Sequence, residues 1–195
     1  VYSMKVLLIN GSPHEKGCTY TALSLIAGEL KAQGIETEIL HVGGQPVGGC
    51  IGCGGCRSGN GCVFGGVVNE AIEKAKTADA FVFGSPVHYA SAAGNMASFM
   101  DRLAYAGGKY LAYKPAAICC SARRAGTTST LDQLVKYPQF FHMPLVNGSY
   151  WAMVHGSNPE QVLQDAEGCA VMQELGRNMA WLLRCIEAGK AAGID

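Results

Sequence analysis

The sequence predicts an α/β protein of three layers, in which helices cover both faces of a doubly wound, five-stranded parallel sheet. Two observations lead to this prediction. Short apolar runs alternate along the chain with longer stretches whose apolar residues recur every three or four positions. Turns rich in glycine, serine and proline separate the two kinds of segment. Strands that alternate with helices form parallel βαβ units, and their right-handed crossovers place helices on both faces.

The five predicted strands are short and mostly apolar. The first reads as fully buried, as a parallel sheet covered on both faces requires, whereas the second alternates polar and apolar residues. The predicted strands span residues 5–9, 36–42, 80–83, 116–120 and 144–153.

The predicted helices lie between the strands, where apolar residues share one helical face. Gly34 ends the first helix, and the fourth begins near Thr128. Ser157, Pro159 and Glu160 read as a capping box that starts the last helix. The apolar stripes are Leu23, Ile26, Ala27 and Leu30; Val68, Ile72 and Ala75; Met96, Phe99, Met100 and Leu103; and Met172, Leu175, Met179, Leu183 and Ile186.

Length and charge restrict the function classes. The 195 residues, about half of them apolar, predict a single domain over residues 1–195 with a cysteine-rich insertion at about 48–64. Fifteen basic and 15 acidic residues cancel, so the charge favours neither nucleic acid nor an anionic membrane. We expect a cytoplasmic protein, because the sequence shows no apolar run of about 18 residues and no secretory pattern. Charged residues make up only 15%, which favours a homo-oligomer that buries surface.

The turn at residues 11–21 is predicted to bind phosphate. It offers the hydroxyls of Ser12, Thr19 and Thr21 and the flexible backbone of Gly17 directly before a helix, where amide groups and the helix dipole attract an anion. An ordinary Ser/Thr-capped turn is the alternative. The turn lacks the Lys-Ser/Thr pair of a Walker loop, since Cys18 follows Gly17, and it lacks the G-x-G-x-x-G of a dinucleotide fold.

A cysteine phosphatase on the same type of sheet is a further alternative. Such an enzyme needs an arginine about six positions after its nucleophilic cysteine. The sixth residues after Cys18, Cys119 and Cys120 are Ser24, Ala125 and Gly126, so this class is excluded by spacing.

Two further turns follow predicted strands and suit a flat flavin ring. Residues 85–94 place Pro86, Val87, His88 and Tyr89 at a strand end, as apolar and aromatic walls for such a ring. A proline-initiated turn with a packed aromatic side chain is the alternative. Residues 121–130 supply groups that can close over the pyrimidine edge of the ring and stabilise negative charge on it. These groups are Ser121, Arg123, Arg124, Gly126 and Thr127.

Four cysteines form a C-x2-C-x2-C-x5-C pattern in a glycine-rich segment: Cys50, Cys53, Cys56 and Cys62. This spacing lets successive thiolates surround one metal centre, and the glycines free backbone amides to face sulfur. A [4Fe–4S] cluster, zinc and unmetallated thiols all remain open. We expect the other five cysteines to be packed thiols.

These segments together resemble the NADPH-dependent FMN reductase family of flavodoxin-like proteins, especially its iron-sulfur flavoprotein branch. The matching segments are INGSPHEKGCTYTAL, GCIGCGGCRSGNGC, FGSPVHYASAAGNMASFMDR, SARRAGTT and YWAMVHG. The resemblance implies noncovalent FMN, two-electron reduction by NAD(P)H, and a homodimer or homotetramer in which a neighbouring subunit completes the flavin pocket. It maps the phosphate loop onto Ser12, His14, Gly17, Cys18, Thr19 and Thr21, and the ring loop onto Pro86, Val87, His88 and Tyr89. The family often has an aromatic residue in place of His88 and an asparagine in place of Cys18.

The predicted function is an FMN-dependent oxidoreductase that accepts hydride from NAD(P)H. It passes electrons to a quinone, a flavin or another small acceptor, directly or through an iron-sulfur cluster. The cofactor supplies the chemistry, so no catalytic acid or base is predicted. The alternative is an electron carrier that serves redox proteins and has no substrate of its own; an acidic docking face would favour the carrier, and the neutral charge favours the enzyme.

Overall fold

A parallel sheet forms the middle layer of the protein. In the computed structural model, which describes residues 3–194 of the predicted 1–195 domain, the strands follow the order β2-β1-β3-β5-β6. The order reverses between β1 and β3, and this confirms the doubly wound topology. The sixth strand, β4, pairs antiparallel with the end of β3. The strands are β1 (Lys5–Asn10), β2 (Glu36–His41), β3 (Ala80–His88), β4 (Ser91–Ala92), β5 (Ala116–Ala122) and β6 (Met153–His155).

Helices cover both faces of the sheet. One face carries α1, α5 and α6, and the other carries α2, α3 and α4. Short 3-10 turns at Gly55–Ser58 and Gly108–Tyr110 interrupt the connections. In residues 3–194, no helix is both long and apolar enough to cross a bilayer. The helices are α1 (Cys18–Ala32), α2 (Val67–Thr77), α3 (Gly94–Gly107), α4 (Thr127–Phe140), α5 (Pro159–Val162) and α6 (Ala166–Ala191).

The two-residue period of the strands divides the apolar side chains between two cores. In β1, Val6 and Leu8 pack against α1 and α6, whereas Leu7 and Ile9 pack on the opposite face. All four side chains are at most 1% exposed. Burial on both faces explains why this strand reads as a continuous apolar run.

The fifth parallel strand is shorter than predicted and lies later in the chain. Within the predicted span 144–153, Leu145 forms an isolated parallel bridge with Ala116. The ladder with β5 then resumes only at Met153. The intervening Asn-Gly-Ser turn chemistry takes the backbone out of the sheet.

The predicted capping box of the last helix is also wrong. The N-cap is Asn158, whose side chain accepts a hydrogen bond from Gln161 N at 2.9 Å, and the helix it starts is the four-residue α5. The long helix α6 begins separately, because Asp165 Oδ1 accepts from Gly168 N at 3.0 Å. Two side-chain caps so close together divide the predicted helix into two.

Candidate functional site

Three loops meet at the carboxyl edge of the sheet because β1, β3 and β5 are neighbours. Gly11 N donates to Gly84 O at 2.9 Å, which joins the loop after β1 to β3. The hydroxyls of Thr19 and Ser121 lie 2.8 Å apart, which joins α1 to the end of β5. The edge therefore brings together all three of the segments that the sequence selected.

The start of α1 is arranged to receive an anion. Gly17 occupies the N-cap position without a side-chain hydrogen bond, and no acidic residue lies in the first turn. The first amide groups of a helix have no acceptor within the helix, and here the cap residue supplies none. Exposed His14 and Lys16 lie just before this helix. Glu15, which is also exposed, lies between them, so the free amide groups and the helix dipole, rather than a net side-chain charge, make this end of the helix receptive to an anion.

Hydrogen bonds hold the loop before α1 in place. Ser12 is buried; its amide donates to Asn10 Oδ1 at 3.1 Å, and its hydroxyl accepts from His14 N at 3.1 Å. His41 Nε2 lies 2.7 Å from Ser12 O, to which it can donate. A dinucleotide fold carries an acid at the position of His41, whereas here this histidine contacts the backbone of the loop before α1.

The other residues predicted to bind phosphate also have protein partners. Thr19 is 1% exposed and faces Ser121 rather than solvent. Thr21 Oγ1 donates to Gly17 O at 3.1 Å, and the half-buried thiol of Cys18 donates to Gly156 O at 3.6 Å. Burial raises the pKa of the Cys18 thiol. Backbone amide groups are thus the most available anion donors at this helix start.

The predicted ring loop is a β-hairpin. Strand β3 continues to His88, and β4 pairs Ala92 with Val87. At the tip, Tyr89 and Ala90 have positive φ angles of 51° and 59°, although turns of this kind normally use glycine or asparagine. This conformation costs roughly 1–2 kcal/mol per residue, and such strain concentrates at functional sites. Tyr89 is fully exposed, so the alternative of a packed aromatic turn does not apply.

Helix α4 fixes the hairpin from one side. Gln133 Oε1 accepts from the hydroxyl of Ser91 at 2.8 Å and from Ala92 N at 2.9 Å. Ser129 Oγ donates to Ala90 O at 2.6 Å. A Cβ added to Gly126 would lie 2.6 Å from the Cα of Ala90, so only glycine permits this approach. The hairpin, α4 and the loop after β5 are therefore joined by direct contacts.

An open depression of about 590 Å³ lies between the hairpin and the loop after β5. Among residues 3–194, no carboxylate forms an ion pair with Arg123 or Arg124, and both side chains are exposed. Apolar walls beside two unpaired cations suit a flat ring that gains negative charge on reduction. The depression is lined by Val87, Tyr89, Ala90, Ala122, Arg123, Arg124, Ala125 and Gly126.

Four predicted ring contacts lie outside this lining. Pro86 is half-buried and His88 is exposed at the end of β3. Ser121 and Thr127 are buried at 4% and 7% exposure, at the end of β5 and the start of α4. The anion donors at α1 and the apolar walls at the hairpin are the kinds of group that the phosphate and the ring of FMN need.

The four predicted metal-ligating cysteines line one cavity of about 190 Å³. Glycines with positive φ allow the surrounding loop to turn back repeatedly. Among the described residues, no three histidine, cysteine or acidic side chains are placed to hold a single metal ion. A cubane spreads its four thiolates over four irons, so its ligands surround a volume rather than a point. The cysteine set Cys50, Cys53, Cys56 and Cys62 fits a cluster in number, type and common cavity.

Two residues that contact this loop were missed by the sequence reasoning. Asn69 accepts from Cys62 N at 2.8 Å and donates to Cys62 O at 3.0 Å. Arg102 Nε donates to Cys62 Sγ at 3.3 Å. The sequence offered one signal for Arg102, because this basic residue lies beside the apolar stripe of α3. No pattern in the sequence indicated Asn69.

The remaining cysteines only partly match the expectation of packed thiols. Cys119 and Cys120 are buried, and burial raises the pKa of Cys120 to about 12, so this side chain stays protonated. Protonated, buried thiols are poor nucleophiles. Cys18 and Cys169 are half-buried, and Cys185 is exposed, which corrects the prediction for that residue.

Comparison with known proteins identifies flavoprotein relatives. A family model described as NADPH-dependent FMN reductase matches residues 4–158. An iron-sulfur flavoprotein of Methanocaldococcus jannaschii is 27% identical over 192 residues, covering 94% of this chain and 100% of the relative. An iron-sulfur flavoprotein of Archaeoglobus fulgidus is 36% identical over 99 residues, covering 51% of this chain and 48% of the relative.

Solved structures show the same fold at low sequence identity. An archaeal flavodoxin superposes with a TM-score of 0.64 at 13% identity, covering 93% of this chain and 99% of that one. An NADH:FMN oxidoreductase in its apo form gives a TM-score of 0.68 at 15% identity, with coverages of 92% and 89%. These similarities confirm the flavodoxin-like fold, and the family match over most of the sequence shows that this chain belongs to the NADPH-dependent FMN reductase family.

Proposed function

We propose that this protein is an FMN-dependent oxidoreductase that couples the oxidation of NAD(P)H to the reduction of a small acceptor such as a quinone or a flavin. The proposal rests mainly on the groups that lie at the carboxyl edge of the sheet. There, the anion-receptive start of α1 lies on the same edge as the depression lined by Val87, Tyr89 and two unpaired arginines. Family membership and the flavodoxin-like neighbours support FMN as the occupant.

The residues of the edge have distinct tasks in this proposal. The amide groups at the start of α1 bind the phosphate, supported by the loop that Ser12 and His41 hold in place. Val87 and Tyr89 flank the ring, and Arg123 and Arg124 stabilise its negative charge. FMN, when bound, supplies chemistry that accepts electrons in pairs and releases them in pairs or singly. The protein supplies position and electrostatics.

Flavin titration tests the FMN site. We expect calorimetry to give tighter binding for FMN than for riboflavin, because riboflavin lacks the phosphate that α1 binds. The difference should shrink at high salt, since part of it is electrostatic. Equal affinity for both flavins would contradict the phosphate site, and no binding of either would contradict a flavoprotein.

We further propose that Cys50, Cys53, Cys56 and Cys62 ligate one [4Fe–4S] cluster. Their common cavity and the positive-φ glycines support this assignment, as does the description of the relatives as iron-sulfur flavoproteins. Such a cluster would add a one-electron group to a protein whose proposed flavin accepts electrons in pairs.

Anaerobic reconstitution with iron and sulfide tests the cluster. Wild type should take up about four irons per chain and give an electron paramagnetic resonance signal on reduction, whereas Cys53→Ala should not. Cys185→Ala, which removes an exposed cysteine outside the loop, should behave as wild type. Bound zinc, or equal iron in Cys53→Ala, would rule out the cluster.

The identity of the reductant and of the acceptor distinguishes the two candidate functions, an enzyme and an electron carrier. Under anaerobic conditions, we expect NADPH or NADH to bleach the flavin absorbance, and addition of a quinone to restore it over many turnovers. Bleaching only by a reduced redox protein would favour the carrier. This assay also measures the preference between the two nicotinamide nucleotides.

We also propose a cytoplasmic homodimer or homotetramer in which a second copy covers the flavin. The low share of charged residues, 15%, supports this arrangement because it favours burial of surface in an oligomer, and the fully exposed Tyr89 at the edge of the depression is available to contact a second copy. Light scattering measures the assembly, and an FMN-loaded monomer would contradict it.

A further inference from the structure

Arg102, on α3, is a buried cation. It is 7% exposed, and among the described residues no carboxylate forms an ion pair with it. Removing a guanidinium from water without a counter-charge is costly, so a buried arginine normally faces an anion. Neither the flavin edge nor the hydrophobic core explains this placement.

Among residues 3–194, the hydrogen-bond partners of Arg102 lie within the cysteine-rich insertion or directly after it. Its Nε donates to Cys62 Sγ at 3.3 Å. One terminal nitrogen donates to Gly48 O at 3.3 Å and the other to Gly65 O at 3.0 Å. The guanidinium carbon also lies 5.6 Å from the centre of the Phe64 ring. The planar guanidinium of Arg102 therefore connects the two ends of the loop and one of its cysteines.

Cys62 is the most firmly held of the four cysteines. Its amide and carbonyl both bond to the side chain of Asn69, while its sulfur receives Arg102. Cys50 and Cys53, by contrast, are exposed. The fold thus positions one cysteine from helices α2 and α3, outside the loop itself.

We propose that Arg102 is a positioning residue of the four-cysteine loop, one that orients Cys62 and raises the reduction potential of the iron-sulfur cluster bound there. This inference rests on the proposed cluster. The thiolates of such a site provide the anion that Arg102 otherwise lacks. Reduction adds one negative charge, which a buried cation and a hydrogen bond to a ligand sulfur stabilise, so the reduced form is favoured.

The test uses three variants of the reconstituted protein. Arg102→Met removes the charge and all three hydrogen bonds, and Arg102→Lys keeps the charge but cannot span three acceptors. Arg57→Met is the matched control, because Arg57 lines the same cavity but is exposed, and water screens its charge. The readouts are iron per chain and the midpoint potential from a titration followed by electron paramagnetic resonance.

We expect Arg102→Met to lower the potential by about 59 mV or more, which is a tenfold change in the ratio of oxidised to reduced cluster. Arg102→Lys should give a smaller decrease and Arg57→Met no change. If Arg102→Met retains no iron, its potential has no readout, and the inference is then tested by whether Arg102→Lys lowers the midpoint potential. Wild-type potentials in the iron-containing Arg102 variants, or an equal shift in Arg57→Met, would overturn the inference. Wild-type protein that takes up no iron would instead refute the proposed cluster itself.

Discussion

The hydroxyls of Thr19 and Ser121 are separated by 102 positions in the sequence and by 2.8 Å in the structure. Thr19 belongs to the first turn of α1, and Ser121 lies in β5, so this bond connects the two outer loops of the candidate flavin site. Both side chains are buried, at 1% and 4% exposure. The buried pair therefore helps to hold the site together, and Thr19 contributes to the fold as well as to the predicted phosphate loop.

Replacing Thr19 by valine should lower the free energy of unfolding by about 1–3 kcal/mol, because the Ser121 hydroxyl loses a buried partner. The double variant Thr19→Val/Ser121→Ala should be less destabilised than the sum of the single changes, since no polar group is then left unpaired. Urea unfolding of the apoprotein measures both values. Strict additivity would mean that the two hydroxyls do not interact.

Charge reversal at the two ends of α1 tests the phosphate position. Lys16→Glu places an acid just before the helix and should weaken FMN roughly 3- to 10-fold at low salt, through repulsion of the phosphate. Lys31→Glu, in the last turn of the same helix, makes the same change in net charge and should leave FMN affinity unaltered. Fluorescence titration compares the two. Similar losses in both variants would show that the phosphate binds elsewhere.

Gly126 and Gly34 have similar backbone conformations but different surroundings. Their φ angles are +88° and +76°; an added Cβ at Gly126 meets Ala90, whereas at Gly34 nothing lies within 4 Å. Both alanine variants should lose about 1–2 kcal/mol of stability from the left-handed conformation. Only Gly126→Ala should also displace the hairpin and weaken FMN, by about tenfold or more. Unchanged FMN affinity in Gly126→Ala would separate the hairpin from the flavin site.

Glu38 on β2 lies between two lysines, at 2.5 Å from Lys5 Nζ and 2.6 Å from Lys74 Nζ. Hydrogen bonds from Lys5 and then Lys74 lower the pKa of Glu38 below its ordinary value. A carboxylate with a lowered pKa in the folded state stabilises the protein above its unfolded pKa, and this contribution disappears as the pH falls through the folded pKa. The side chains are about a third exposed, so the gain is at most about 1 kcal/mol.

Glu38→Gln should therefore lower the free energy of unfolding at pH 7 and make little difference well below the ordinary carboxylate range. Urea unfolding across pH 3–7 measures the change against wild type. A difference that stays constant with pH would show that packing, rather than charge, accounts for the effect of Glu38.

The sequence predicted the α/β class, the buried first strand and the three strand-end turns because these features depend on local periodicity and turn chemistry. Residues such as Val6 and Leu7 alternate between two cores wherever a parallel strand is buried on both faces. The boundaries of the fifth strand and of α5 were missed. A three-residue strand such as β6 and a cap such as Asn158 depend on a few contacts that propensity does not resolve.

Only the tertiary structure decided which side chains contact one another. Thr19 and Thr21 are both hydroxyl residues of one turn, yet one bonds across the sheet edge to Ser121 and the other bonds back to Gly17. The strained tip at Tyr89 and the approach of Gly126 to Ala90 likewise exist because α4 docks against the hairpin. The four cysteines were evident from their spacing, whereas Arg102 reaches Cys62 from 40 positions away. The sequence by itself thus determined the fold and the chemistry available, because both follow from local pattern. The partners of each group depended on the packing of distant segments, which no local pattern records.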